Sequence, residues 1–174
     1  MKLAISDWMK HKLSIIEQAQ KQAIEKYRFD QLCQTIYHGF WHEFCDWYLE
    51  LAKASMDNLN EREKQQLIYD AKQILLQLLS IMHPIIPFIT DEIHTIMQND
   101  YKSILDKPFI ETKINLDNSQ VEEISILCEW IHTIRAVRSE LNVPPSAVIN
   151  AKGLNNLPTQ HLKLLTQMSR LCAV

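Results

Sequence analysis

A mainly α-helical protein, an antiparallel helical bundle followed by a small α+β extension, is what this sequence predicts. Three observations carry the prediction. Apolar residues recur at three- and four-residue steps through most of positions 1–142. Glycine, on which tight hairpin turns depend, occurs only at Gly39 and Gly153. Prolines stand at the ends of periodic runs, at Pro84, Pro87, Pro144 and Pro145, where they stop or start helices. The bundle is assigned residues 1–142 and the extension residues 143–174.

The first helix is expected from Ser6 to Lys26, with Met9, Leu13, Ile16, Ala23 and Tyr27 on its apolar stripe. Asp30 reads as the cap of a second helix reaching Ser55, whose stripe is Leu32, Ile36, Phe40, Phe44, Trp47 and Leu51. Asp46, Glu50, Lys53 and Asp57 share its other side as a polar strip. Asn60 with Glu63 forms a capping-box pair that starts the third helix, and Pro84 ends it. Its inward residues are Leu67, Ala71, Ile74, Leu78 and Met82. Pro87 suits the first turn of a fourth helix carrying Ile89, Ile93 and Met97 inward. Asn99 to Asn118 has no helical period and reads as a connection with room for a short strand. Ser119 with Glu122 caps a fifth helix that runs to Asn142, burying Ile124, Leu127, Ile131, Ile134 and Leu141. Beyond Pro144 and Pro145, Ala147–Leu154 alternates like a strand. Thr159–Met168 suits a small helix, and Arg170–Val174 a second strand.

Composition narrows the function. Phosphate-cradling loops need several glycines, so neither a P-loop nor a dinucleotide fingerprint can be built from two. No apolar run is long enough to span a bilayer, and no signal peptide opens the chain. Cys33, Cys45, Cys128 and Cys172 are widely spaced, without a C-x-x-C pair, which indicates neither a zinc site nor a disulfide framework and suits a reducing cytoplasm. The net charge of −3 is not that of a general nucleic-acid binder. Charge is uneven, however: Met1–Arg28 holds six basic and three acidic residues, Phe29–Asn60 one basic and five acidic. An RNA contact would therefore be a local patch helped by stacking and shape.

Individual residues admit sharper and plainer readings. Arg135 and Arg138 stand three apart near a helix C-terminus, suited to phosphate contact, to the helix dipole, or to pairing with Glu140. Lys10, Lys12, Lys21 and Arg28 form either a solvated face or an RNA-facing one. Trp41, Trp47 and Tyr48 could stack bases, but aromatics at helical spacing are core first. His38 and His42 lie four apart without the third ligand a metal needs, and no metal site is assigned. His83 is read as bonding free carbonyls at a helix end, and Cys33 and Cys45 as small hydrophobes on apolar stripes. No nucleophile, acid or base has a partner at fixed spacing, so no catalytic residue is assigned.

RFDQLCQTIYHGFWHEFCDWYLELAK, residues 28–53, is the first of three segments that carry a family resemblance: it is similar to the second helix of the anticodon-binding domain in the valyl-tRNA synthetase family. HPIIPFITDEI, residues 83–93, resembles a helix–proline–helix junction shared by the synthetases for valine, isoleucine and leucine. IRAVRSELNVPP, residues 134–145, is similar to the arginine-bearing helix with its proline-rich exit. The wording FCDWYLELAK points to valine over the isoleucine and leucine alternatives; a helical protein-interaction module is the rival from another class.

The resemblance implies a recognition domain for valine tRNA, working beside the catalytic domain of a parent polypeptide. The HIGH and KMSKS signatures of that catalytic domain do not occur in these residues. ATP, used there, would have no site here, and the fragment itself needs no cofactor. By the same resemblance Leu49 helps line the anticodon pocket. Arg135, Arg138, Arg28 and Lys12 are the candidate tRNA contacts, the first two favoured by the resemblance, Arg28 and Lys12 by their charge alone.

Overall fold

The computed structural model describes residues 2–99, 102–106, 118–144, 146–151 and 159–173. Helix α1 (Lys2–Glu25) is the hub, packing against α2 (Phe29–Tyr37), a π-helical segment (His38–Tyr48), α4 (Glu61–Met82) and α6 (Asn118–Glu140). Its stripe buries Trp8, Met9, Leu13 and Ile16, as an amphipathic helix with neighbours on several sides must. Tyr27, expected on that stripe, is exposed. It takes the left-handed conformation (φ 56°) of a Schellman cap, in which the Arg28 N–H reaches the Ala23 carbonyl (2.8 Å) and the Tyr27 N–H that of Ile24 (3.0 Å).

The expected second helix is one continuous helical run in three parts: α2, the π segment, and α3 (Leu49–Met56). Asp30 is not its cap. Arg28 occupies that position without a side-chain bond, and Asp30 sits in the first turn. Within the π segment the Phe40, Phe44 and Tyr48 rings stack in sequence, centroids 6.0 and 5.6 Å apart. Its wider turn is visible where the Leu49 N–H bonds the Phe44 carbonyl five residues back. The side facing α1 is closed by Gly39 against Ile16. Asp46, Glu50, Lys53 and Asp57 stay exposed, the polar strip the spacing predicts.

Asn60 and Glu63 make the expected capping box at α4, with bonds of 2.9 and 3.0 Å. Helix α5 (Pro87–Gln98) turns differently from expectation. Ile89 is 54% exposed, while Thr90 and His94 are buried and Ile93 and Met97 are half-buried. Thr90 can be buried because its hydroxyl bonds the Ile86 and Pro87 carbonyls. His83 Nδ1 is 2.8 Å from that hydroxyl, so His83 bonds a side chain and not the free carbonyls expected. A 3₁₀ turn (Ile104–Asp106) covers Leu76 and Leu79. Most of the connection from Asn99 to Asn118 lies outside the described residues.

Helix α6 starts at Asn118, one residue before the expected cap at Ser119. Ile124, Leu127 and Ile131 are buried and Ile134 half-buried, but Leu141 is 68% exposed. A second Schellman cap, with Asn142 at φ 52° and the Val143 N–H on the Arg138 carbonyl (2.9 Å), ends the helical run directly after Leu141. The extension is a β–α–β unit. Strands β1 (Ile149–Ala151) and β2 (Leu171–Ala173) pair in parallel with Ile149 opposite Leu171, and α7 (Thr159–Ser169) lies between them in sequence. Pro145, residues 152–154 of the expected first strand, and Val174 fall outside the described residues. Leu164, Leu165 and Leu171 join the same core as the bundle helices.

Candidate nucleic-acid interface

Leu49 follows directly on the π segment, half-buried, its inner side on the core and its outer side beside the polar strip. Glu50 next to it pairs with Lys53 at 2.7 Å, and His42 Nδ1 lies 2.9 Å from Asp46 Oδ2. The aromatics divide. Tyr48 is fully buried and Trp47 half-buried. Trp41 is not core: it is 51% exposed and lies parallel to the exposed Tyr37 ring, centroids 6.3 Å apart and planes within 3°. Helical spacing alone does not separate these three, since in a π segment the apolar face drifts relative to the α period.

The basic residues proposed from sequence are differently engaged. Lys12 bonds Glu43 at 3.1 Å and lies 5.5 Å over the Trp8 ring. Arg28 grips Asp30 with two bonds of 2.9 and 2.7 Å, and that bonding holds the Asp30 carboxyl down at about 2. Arg135 is exposed, its guanidinium 5.8 Å over Trp47 and one N–H on the Met168 carbonyl at 3.4 Å. Arg138 is only 7% exposed. Its N–H groups donate to the carbonyls of Ser169 (3.3 Å), Pro144 (2.8 Å) and Ala147 (2.7 Å). The pairing with Glu140 considered from sequence does not form.

Arg135 and Arg138 line one cleft of ≈ 610 Å³ between the end of α6 and the α7–β2 junction. Arg170 and Ser169 line it too, and sequence reasoning missed both. Arg170 stands 32 positions beyond Arg138, and no local spacing connects them. A second cleft, ≈ 420 Å³, lies among α1, the π segment and α6, bordered by Lys12, Glu43, Trp47, Cys128 and His132. Burial pushes the Cys128 thiol up to about 12. Cys33, expected on an apolar stripe, is exposed, whereas Cys45 packs against the core. Among the described residues no three His, Cys, Asp or Glu side chains gather as a metal would require, and no helix is long and apolar enough to cross a membrane.

The family model described as the anticodon-binding domain of tRNA ligase matches residues 6–152, and the chain belongs to that family. Within the family the similarity runs to valine–tRNA ligases. That of Zymomonas mobilis subsp. mobilis is 36% identical over 148 residues, 83% of this chain and 17% of the relative. The Clostridium tetani enzyme is 36% identical over 140 residues, 80% of this chain and 16% of the relative. The Rhizobium meliloti enzyme is 31% identical over 162 residues, 88% and 17%. The chain thus matches about a sixth of the length of these curated relatives, the portion that carries their anticodon-binding domain.

Proposed function

We propose that this chain is the recognition arm of a valine–tRNA ligase and reads the anticodon region of valine tRNA. Another part of the parent polypeptide would perform the ATP-dependent joining of valine, and the chain itself would supply no catalytic group. The observation that carries this reading is the exposed, parallel Tyr37–Trp41 pair on the same helical run as half-buried Leu49. Trp41 and Leu49 are eight positions apart, a separation somewhat less than the roughly 12 Å an α-helix would give, because the π segment is wider and rises less per residue. Unpaired anticodon bases are recognised by splaying them onto aromatic faces and into side-chain pockets, and a plate and a pocket wall at that spacing suit neighbouring nucleotides of one loop. Lys12 and Arg28 would exchange their carboxylate partners for phosphate, so each contributes less than an unpaired cation.

The exposed Phe88, Ile89 and Ile96 give α5 an apolar outer side, which supports a protein contact there, with the catalytic domain of the parent polypeptide as its occupant. Four free thiols suit a reducing cytoplasmic setting. The test is binding of valine tRNA against the same transcript with its middle anticodon base changed, at several salt concentrations. Weaker binding of the changed transcript is expected throughout. Equal affinities at every salt concentration overturn the anticodon reading.

A further inference from the structure

The cleft at the end of α6 carries an unbalanced charge. Arg135, Arg138 and Arg170 line it together, and among the described residues none of the three forms an ion pair with a carboxylate. This occurs in a chain whose net charge is −3, so a general excess of cations does not explain it. Guanidinium remains protonated in any protein setting, and a buried charge is costly unless something neutralises it. The acceptors around Arg138 are three backbone carbonyls, which satisfy its N–H groups and leave its charge uncompensated.

A second observation is independent of the arginines. Ser169, 3% exposed and lining the same cleft, has a buried hydroxyl with no hydrogen-bond partner. Buried hydroxyls are nearly always bonded, and one left open beside three cations is a donor waiting for an acceptor. Arg135 uses one N–H in a long 3.4 Å bond and keeps the others free, its guanidinium carbon 5.8 Å over the Trp47 ring. Arg170 is exposed at φ 50°, the left-handed turn between α7 and β2, and its side chain makes no bond among the described residues. Arg135 and Arg170 can therefore reach a ligand, whereas Arg138 is a strut fixed by three carbonyls.

We infer that this cleft is an anion groove for the phosphodiester backbone of RNA, with Arg135 and Arg170 as its ligating cations and the Ser169 hydroxyl as an added donor. The inference rests on the tRNA reading above for the identity of the polymer. Two guanidinium forks and a hydroxyl match phosphate oxygens, and ≈ 610 Å³ exceeds what a single phosphate fills, as suits a strand passing through.

The experiment is the salt dependence of valine tRNA binding for the intact chain, Arg135→Ala, Arg170→Ala, the double variant, and Arg170→Lys. Thermal melting confirms that each variant stays folded, as an exposed residue with at most one weak bond allows. Each alanine is expected to reduce the slope of log affinity against log salt by about 1, and to weaken binding roughly three- to tenfold at low salt. Arg170→Lys should keep most of the slope. Discrimination at the middle anticodon base should survive in all variants. An unchanged slope in the double variant, with base discrimination intact, overturns the groove and spares the anticodon reading. A slope lost as expected, beside wild-type indifference to the anticodon base, supports the groove and overturns that reading. Capture of a polyglutamate peptide that the double variant loses, with the tRNA slope unmoved, overturns RNA in favour of an acidic protein surface.

Discussion

The Tyr48 hydroxyl sits in the core beside Ser6, sharing a hydrogen bond of 3.3 Å. Burial pushes its pKa up to about 12; the Ser6 bond works against this shift and the nearby Asp70 charge adds to it. Between pH 10 and 12 the folded protein keeps this proton while the unfolded chain loses it. The unfolded state then binds fewer protons, so stability falls as pH rises through that window. A shift of that size corresponds to roughly 2–3 kcal/mol when the window is fully crossed. Tyr48→Phe should cost about 1 kcal/mol near pH 7, for the lost bond, and flatten the alkaline decline. Urea midpoints from pH 8 to 12 measure both; parallel declines in the two proteins would assign the alkaline loss to other groups. At this scale, residues whose role is to pack were legible, because Leu13, Ile74 and Leu127 announce themselves by spacing. Arg138 was not, since nothing local distinguishes an arginine that meets carbonyls from one that meets phosphate.

Gly39 is where one element constrains another. A Cβ built there would lie 2.6 Å from Ile16 Cδ1 and 3.1 Å from Cγ1, so the π segment approaches α1 closely only because no side chain intervenes. Gly39→Ala should cost about 1–2 kcal/mol through overpacking, net of the ~1 kcal/mol that alanine gains in a helix. Combined with Ile16→Val, which removes the clashing methyl, the penalty should largely vanish. A double-mutant cycle in urea reads this coupling, and simple additivity of the two changes would refute the packing account. Elements with a clean period were readable, and α4 with its capping box appears where Asn60 and Glu63 place it. Failures came where polar bonding or a helix-end cap decided the outcome. Asp30 serves Arg28 instead of the helix end, and Thr90 takes the inward place given to Ile89 because neighbouring carbonyls satisfy its hydroxyl. Apolar periodicity carries no information about such exchanges.

Across the whole molecule the bundle and the β–α–β unit are joined by apolar packing and by arginines of α6, Arg138 above all. Arg138 on α6 holds carbonyls before β1 and at the end of α7, the two approaches to the small sheet. Arg138→Ala should cost about 2–4 kcal/mol, because it empties a buried site and takes the donor from one buried and two partly buried carbonyls. Amide exchange at Ile149–Ala151 and Leu171–Ala173 should rise more than exchange in α1 and α4. Uniform acceleration would mean the arginine stabilises the molecule as a whole and not this junction. The site was only half legible for the same reason the junction matters. Arg135 and Arg138 are visible as a pair three residues apart, but Arg170 joins them solely through tertiary closure, and Leu49 was singled out by family resemblance and not by its spacing. Closure of that kind also governs timing. The Trp8 indole donates to Ser125 across 117 positions. A ribosome adding roughly 5–20 residues per second therefore leaves one flank of α1 uncovered for on the order of ten seconds, until α6 emerges to meet it. Within this domain the helix made first is thus among the last to be fully enclosed, and its apolar flank stays open to outside contacts during that interval.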